Sequence, residues 1–330
     1  MNYLKKVLVC TLFITPLMAK APSKEPHIER RQEFVSFSVE EYNALLMKAV
    51  ETHEWKEVVK QALFTIKSFP ETSFSQEAIY FLGKAYFELH EFDLASQELS
   101  NYLKKTTPLQ HFRDAIELKF LIAEKFREGH LQRIGGVSFL PKWMGAREEA
   151  IQIYEEVISA FPHDELAARS LLGKGDLLLR QGSYSLSIEA YETVIRKFPK
   201  HPLVPEAYVE MLSVYLTRAQ HEYPNVDHLD LAELQLKRFK QDFALDPRLE
   251  KAEEAFLKLQ EVFAQNFYDL AQFYERMKKP GASILYYAKI IKTFPNTKTA
   301  ALSKKRLKVL QPLDESSHDA LQSSASNTSL

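Results

Sequence analysis

Apolar and small residues recur at the spacing of an amphipathic helix in residues 267–295, FYDLAQFYERMKKPGASILYYAKIIKTFP. Each half of this stretch has a small residue on its apolar face, Ala271 in the first and Ser283 in the second. A Pro-Gly step at 280–281 separates the halves, and a Phe-Pro step at 294–295 ends the second one. The aromatic positions are Phe267, Tyr274 and Tyr287. The pattern predicts two short helices joined by a turn.

The same arrangement recurs upstream in segments that also end near a proline. The copies are residues 75–108 with Gly83, Tyr86 and Ala95, residues 148–162 with Ala150 and Tyr154, residues 171–199 with Gly175, Ser187 and Tyr191, and a looser copy at 59–70. A small residue lets the partner helix approach closely, and a large side chain on that helix fills the space above it. Because such a helix pair cannot cover its own apolar side, we expect the copies to stack.

A helical repeat of roughly 34 residues is the tetratricopeptide pattern. The copies here are stretched, with 37 residues from Pro162 to Pro199 and 54 from Pro108 to Pro162. The excess lies at 127–146, where several glycines and Pro141 predict a loop rather than a helix. We therefore predict an all-α superhelix of about five tetratricopeptide repeats with a C-terminal capping helix.

The pattern also predicts how the chain is divided. We expect N-terminal repeats at 37–200, and C-terminal repeats with the capping helix at 201–311. Within the second part, helices are predicted at about 205–220, 229–243, 248–277 and 298–310. The segment at 248–277 contains no helix-breaking proline or glycine, so we expect it to be one long helix. A polar leader at 22–36 and a Ser-rich tail at 312–330 are expected to be disordered.

The first 21 residues have the three parts of a secretory signal peptide. Lysines at 5–6 precede a 12-residue apolar run at 7–18, and small residues follow at a cleavage site after Ala19 or Ala21. The alternative is an uncleaved N-terminal anchor, although roughly 20 apolar residues are needed to span a bilayer. We expect export and cleavage.

Composition excludes several classes of protein. The 330 residues are 45% hydrophobic and 26% charged, which is ordinary for a globular protein. A net charge of −1 provides no general attraction to nucleic acid. Cys10 is the single cysteine, so an intrachain disulfide and a Cys-based zinc site are excluded. Cys10 also lacks the preceding small residue that a lipidation signal requires.

The segments that resemble enzymatic motifs each lack a residue or a structural context that the motif requires. The HEWKE segment at 53–57 lacks the second histidine of a zinc-protease helix. The glycines at 173 and 175 flank Lys174 but no strand precedes them, so close helix packing explains them better than a phosphate loop. Ser138 is not in a nucleophile elbow. We expect no enzyme, no metal and no cofactor.

Two surface features could contact partners. The 127–146 loop holds an apolar cluster, and the closing helix holds a basic run. The cluster includes Phe139, Leu140, Trp143 and Met144, and the run is Lys304, Lys305, Arg306 and Lys308. The cluster either tucks against neighbouring helices or contacts a partner. The run is either a solvated helix end or a contact for anionic head groups or an acidic partner.

Three segments, at 41–105, 142–162 and 250–302, resemble the BamD (YfiO) family, the tetratricopeptide component of the bacterial outer-membrane barrel assembly machine. The most specific part is the last, which begins FYDLAQFY and finishes ILYYAKIIKTFP. The resemblance covers about 40–310.

This resemblance implies a periplasmic scaffold at the inner face of the outer membrane, without enzymatic activity. The N-terminal repeats would engage unfolded outer-membrane barrel proteins, and the C-terminal repeats would dock a BamA-like subunit. The family is normally lipid-anchored, whereas Cys10 has no lipobox, so membrane contact would pass through the partner. The alternatives are another periplasmic tetratricopeptide adaptor of the CpoB type, in a cell-envelope or division complex, and an enzyme or ligand-binding protein.

Overall fold

The computed structural model of the chain describes residues 38–70, 72–105, 108–133 and 141–310. Most of these residues lie in α-helices that follow one another as consecutive pairs. The expected signal peptide at 1–21, the leader at 22–36 and the tail at 312–330 lie outside the described residues.

The first pair is α1 (Val39–Glu51) with α2 (Trp55–Ser68), and the second is α3 (Ser73–Glu88) with α4 (Phe92–Leu103). The third is α5 (Phe112–Arg127) with α6 (Arg147–Ala160), and the fourth is α7 (Glu165–Arg180) with α8 (Tyr184–Lys197). The fifth is α9 (Val204–His221) with α10 (Val226–Asp242), and the sixth is α11 (Leu249–Arg276) with α12 (Pro280–Thr293). A closing helix, α13, spans 298–310.

The predicted all-α tetratricopeptide fold is confirmed, with one pair more than the expected number of about five. The described residues hold six pairs because α9 and α10 also pack on each other, although the connection at 222–225 is irregular. The long helix predicted at 248–277 is α11, which is unbroken over 28 residues. The predicted closing helix is α13.

Stacking joins the pairs through two clusters of buried apolar residues that meet on α7. Leu177 of α7 belongs to the cluster that begins at Leu46, whereas Leu171 belongs to the cluster that continues to Leu310. A single helix therefore contributes to both parts of the core, and packing continues from the N-terminal to the C-terminal repeats.

Five of the six first helices end in the same turn. The second residue after the helix has a positive φ in each case: His53 (56°), His90 (60°), Gly129 (104°), Gly182 (80°) and Lys278 (56°). After α11, the Lys278 N–H donates to the Glu275 carbonyl at 2.9 Å and the Lys279 N–H donates to the Tyr274 carbonyl at 3.0 Å. This is the Schellman motif, which satisfies the last carbonyls of the helix and reverses the chain.

None of the described residues between α5 and α6, at 128–133 and 141–146, is helical, as predicted, but these residues are not wholly a loop. The strands β1 (Leu131–Arg133) and β2 (Lys142–Gly145) pair in an antiparallel ribbon, with Leu131 opposite Gly145. The expectation of a plain loop was wrong here because the two arms satisfy each other's backbone hydrogen-bonding groups.

We predict that Lys278→Gly stabilises the fold. Lys278 has a left-handed backbone that costs a residue with a Cβ roughly 1–2 kcal/mol, and glycine removes this strain. Part of the gain is lost to the greater freedom of glycine in the unfolded chain, so we expect an increase of about 0.5–1 kcal/mol in the free energy of unfolding. Urea denaturation followed by circular dichroism measures it.

The matched control is Lys279→Gly, since Lys279 has an ordinary φ of −114°. This variant keeps only the entropic cost and should be less stable than the native chain. Equal effects of the two substitutions would show that the turn is not strained at Lys278.

Candidate functional site

The predicted packing residues of the fourth pair lie where α7 crosses α8. A Cβ built on Gly175 would lie 2.7 Å from the Tyr191 Cε1 atom, so the Tyr191 ring occupies the space of a side chain. Ser187 is fully buried, and its hydroxyl donates to the Gly175 carbonyl at 2.7 Å. Only a glycine permits this approach.

The second pair has an equivalent crossing with an aliphatic partner. A Cβ on Gly83 would lie 2.8 Å from the Leu99 Cγ atom, so Leu99 takes the place that an aromatic residue has in the fourth pair. Ala95 is fully buried on α4, and Tyr86 is half-buried on α3.

Tyr154 joins the third pair to the fourth. It is fully buried on α6, and its hydroxyl oxygen would lie 2.6 Å from a Cβ on Gly173 of α7. The hydroxyl donates to Glu124 of α5, and burial followed by this carboxylate raises the pKa of Tyr154. Ala150, one turn earlier on α6, is also fully buried. Gly173 is thus a contact point between neighbouring pairs.

In the sixth pair, Ala271 of α11 and Ser283 and Tyr287 of α12 are fully buried. Tyr274 of α11 is half-buried, and its ring stacks on Tyr286 with centroids 5.4 Å apart. These aromatic contacts hold α12 against the C-terminal half of α11.

The predicted contact residues of the 127–146 segment are only partly described. Phe139 and Leu140 lie outside the described residues. The backbone of Trp143 belongs to β2, and the side chain of Met144 is 44% exposed. The choice between packing against neighbouring helices and contacting a partner therefore stays a prediction for all four residues.

Hydrogen bonds and ion pairs between charged residues connect the β-ribbon to the second helix pair. The Arg133 N–H donates to Asp93 Oδ2 at 3.0 Å, and its Nη1 atom donates to Asp93 Oδ1 at 2.6 Å. Glu91 accepts from Arg133 and forms an ion pair with Lys142 at 2.9 Å. Both strands of the ribbon are therefore fastened to the start of α4.

The first helices of the third, fourth and fifth pairs line a cavity of about 440 Å³, here called the α5–α7–α9 groove. Its lining includes Phe120, Glu124 and Arg127 from α5, Arg169, Asp176 and Arg180 from α7, and Glu206 and Glu210 from α9. Arg127 pairs with Glu124 and, at 3.4 Å, with Asp176, while Arg180 pairs with Asp176 at 3.0 Å. The Arg127–Asp176 ion pair joins α5 of the third pair to α7 of the fourth, whereas the other two ion pairs are formed within one helix.

The remaining charges of the groove have no ion-pair partner among the described residues. The Arg169 guanidinium lies 4.6 Å from the centre of the Phe120 ring. Glu206 and Glu210 stand on successive turns of α9. Burial raises the pKa of Glu210, and the carboxylates of Glu206 and Asp176 raise it further. The groove therefore offers both an available cation and two available carboxylates to an occupant.

The sequence did contain a signal for this groove. Charged residues three or four positions apart recur on three first helices, as Glu124 with Arg127, Asp176 with Arg180, and Glu206 with Glu210. Such spacing places each couple on one helix face, but ordinary solvated faces show it as well.

An ion pair also joins α13 to the sixth pair. Arg306 of the predicted basic run donates to Glu275 of α11 with Nε at 2.9 Å, and the Tyr287 hydroxyl donates to the same carboxylate at 2.7 Å. The Arg306 guanidinium holds the pKa of Glu275 below its ordinary value, and the Tyr287 hydroxyl lowers it further. Arg306 thus has a structural partner within the chain.

Exposed apolar side chains are frequent on the C-terminal helices. They are Leu257, Phe273 and Met277 from α11 and its end, Leu285 from α12, and Leu302 and Val309 from α13. Within the described residues, no group of three or more potential metal ligands occurs, and none of the described helices is long and apolar enough to cross a bilayer.

We predict that Gly175→Val destabilises the protein by about 1–3 kcal/mol, because the new side chain overlaps the Tyr191 ring and both are buried. Thermal unfolding measures the effect. Gly145→Val is the matched control, since nothing lies within 4 Å of a Cβ at Gly145. A melting temperature that falls equally in both variants would contradict the assigned crossing.

We also predict that Arg306 makes a pH-dependent contribution to the free energy of unfolding. Arg306→Gln should lower the free energy of unfolding by roughly 1 kcal/mol at neutral pH, because it removes a charged donor from Glu275. The lowered pKa of Glu275 means that its contribution is complete above the ordinary value of 4.5 and is lost as the pH falls through the folded value. Denaturant unfolding from pH 7 to pH 3 checks this. Lys305→Gln is the control, and a difference that persists unchanged at low pH would contradict the pairing.

Three solved structures with helical repeats are similar to the chain. A tetratricopeptide repeat protein from Parabacteroides merdae is 13% identical, with a TM-score of 0.37, over 82% of this chain and 98% of that one. Part of a tetratricopeptide protein from Cytophaga hutchinsonii is 13% identical, with a TM-score of 0.38, over 81% and 87%. The type IV pilus biogenesis factor PilW is 14% identical, with a TM-score of 0.29, over 80% and 97%.

The comparison with curated proteins gave no match. Among protein families, the sequence matches YfiO, described as "Outer membrane lipoprotein", over residues 143–320. This match runs from β2 past the end of α13 and covers more than half of the 330 residues. The chain therefore belongs to the YfiO family of outer membrane lipoproteins.

Proposed function

We propose that the protein is a non-enzymatic periplasmic scaffold at the inner face of the outer membrane, which assists the assembly and insertion of β-barrel proteins. The observation that carries this proposal is the YfiO family match across the C-terminal helices α6 to α13. The signal peptide predicted at 1–21 supports export. The partners would be a BamA-like subunit and unfolded barrel proteins.

The α5–α7–α9 groove is the proposed site for segments of unfolded barrel proteins. An extended chain carries unpaired backbone groups and alternating side chains, and stacked helix pairs generally bind such chains along a surface formed by several repeats. The groove is lined by three consecutive pairs and carries charges of both signs. Arg169 would donate hydrogen bonds to an acidic side chain or a carbonyl of the bound segment, while Glu206 and Glu210 would accept hydrogen bonds from a basic side chain or from backbone N–H groups.

The C-terminal helices are the proposed dock for the BamA-like subunit. α11 is a continuous 28-residue helix, and its end exposes Phe273 and Met277. A rigid helix loses little conformational freedom on binding, and exposed large apolar side chains are typical anchors of protein interfaces. The Arg306–Glu275 pair holds α13 beside this surface.

We further propose that the groove carries out no chemistry. Its central carboxylates, Glu124 and Asp176, are neutralised by arginines. The alternative function is that of another periplasmic tetratricopeptide adaptor in a cell-envelope or division complex. Capture of the BamA-like subunit from detergent-solubilised membranes distinguishes the two.

We predict that the two binding activities can be separated by substitutions in the full-length chain. Arg169→Ala with Glu206→Ala should weaken binding of unfolded barrel peptides by about tenfold while leaving capture of the BamA-like subunit unchanged. Phe273→Ser with Met277→Ser should have the reverse effect. Fluorescence anisotropy with labelled barrel peptides and pull-down with the purified subunit are the measurements.

Leu245→Ser is the control, because Leu245 is exposed between α10 and α11 and is not among the residues that line the groove or the α11 surface. All variants are first compared with the native chain by circular dichroism. If the native chain captures no BamA-like subunit, the adaptor alternative replaces the proposal. If the Phe273 and Met277 variant loses peptide binding instead, the assignment of the two surfaces is reversed.

A further inference from the structure

The first helix pair exposes an apolar surface, here called the α2 patch. It is a shallow depression lined by Tyr42 of α1 and by Lys56, Val59, Lys60, Gln61, Leu63, Phe64 and Lys67 of α2. Leu63 is 47% exposed and Phe64 is 42% exposed. The Tyr42 and Phe64 rings stack with centroids 4.4 Å apart, so the patch has a defined shape.

This surface is unusual for the outer face of a helix. Val58, Ala62 and Thr65 form the buried face of α2, and an amphipathic helix normally presents polar residues on the opposite side. The end of a repeat array also needs a polar outer face to stay soluble. In the described part of the chain, the first pair instead presents three large apolar side chains, Leu45 of α1 and Leu63 and Phe64 of α2.

The rim of the patch is basic. Three of its eight lining residues are lysines and none is a carboxylate. Lys60 pairs with Glu57 at 3.3 Å, whereas Lys56 and Lys67 form no ion pair with any described residue. Two available positive charges therefore stand on either side of Leu63 and Phe64 along α2.

We propose that the α2 patch binds the surface of an anionic lipid bilayer. Apolar and aromatic side chains on one helix face, bordered by lysines, are the composition of a helix that lies in the interface of a membrane. Leu63 and Phe64 enter the boundary between head groups and acyl chains. The lysine stems extend along the apolar surface and place their ammonium groups among the lipid phosphates.

The position of the patch in the chain supports a membrane occupant over a protein one. α1 begins at Val39, so the first helix pair is the described part of the chain that lies nearest in sequence to the N-terminal segment. A family described as outer membrane lipoproteins works beside a bilayer. The patch is also shallow, which suits a flat lipid surface better than a partner helix. This contact is additional to the proposed docking of a BamA-like subunit.

A polarity-sensitive fluorophore tests the proposal in the full-length chain. In a Cys10→Ser background, Leu63→Cys is labelled with a nitrobenzoxadiazole dye, and Leu285→Cys, at a position that is 71% exposed on α12, is labelled as the control. Each protein is titrated with vesicles of phosphatidylcholine and phosphatidylglycerol in a seven-to-three ratio, and with vesicles of phosphatidylcholine alone. The dye reports its own surroundings, so a tether elsewhere in the chain does not mimic insertion of the patch.

We expect the dye at position 63 to brighten and shift to shorter wavelength with anionic vesicles, and the dye at 285 to change little. Lys56→Gln with Lys67→Gln should raise the lipid concentration at the midpoint by about 25-fold, since each lysine near an anionic surface contributes roughly fivefold. Added salt should weaken the signal as well. Lys304→Gln with Lys305→Gln removes the same charge from α13 and should leave the midpoint unchanged.

Three outcomes would overturn the proposal. One is a dye at position 63 that stays in water while the chain sediments with vesicles. Another is a signal that requires Lys304 and Lys305 rather than Lys56 and Lys67, since α13 would then contact the membrane. The third is a signal that grows with protein concentration in the absence of lipid, since a second copy of the chain would then cover the patch. Circular dichroism of each labelled variant excludes unfolding as the cause.

Discussion

The rest of this fold depends on close helix contacts in which a tyrosine ring of one helix fills the space beside a glycine of a neighbouring helix, where a side chain would otherwise project. At Gly175 the Tyr191 ring lies where a Cβ would project, and Gly173 receives Tyr154 in the same way. The first contact holds the two helices of one pair together, and the second holds one pair against the next. Because both small positions lie two residues apart on α7, this helix is packed from two sides. A close approach of this kind is rigid, since interiors have little free volume to absorb a shift.

The turns transmit this rigidity along the array. The shared Schellman turn after five of the first helices reverses the chain with the same backbone geometry each time. The first helices of successive pairs therefore lie side by side, and the α5–α7–α9 groove is their common surface. Ion pairs such as Arg127 with Asp176 then connect one pair to the next across the groove. Its charges are held in place by the backbone arrangement rather than by flexible loops, as a binding surface requires.

The two ends of the array differ in what covers their apolar surfaces. At the C-terminal end, α13 is fastened by Arg306 to Glu275, and Glu261 accepts hydrogen bonds from the N–H groups of Lys298 and Thr299 at its start. At the N-terminal end, the described residues leave Leu63 and Phe64 exposed between lysines. These different surfaces are consistent with a scaffold that engages a protein at one end and a bilayer at the other.

The sequence by itself determined the helices, most of their ends and the small positions at their crossings. Periodicity and proline act over one or two helical turns, so α11 and the packing at Gly175 could be predicted from neighbouring residues alone. The repeat count was less certain because the fifth pair lacks the shared turn. Only the tertiary structure decided which distant residues meet, as in the Tyr154–Gly173 contact and the Arg133–Asp93 ion pair. It also decided which charges line the α5–α7–α9 groove and which apolar residues form the α2 patch. These features join residues such as Arg127 and Asp176, which are 49 positions apart, or depend on which face of a helix remains uncovered after stacking. Local patterns contain neither kind of information, because the distance between two repeats is set by how their side chains interlock.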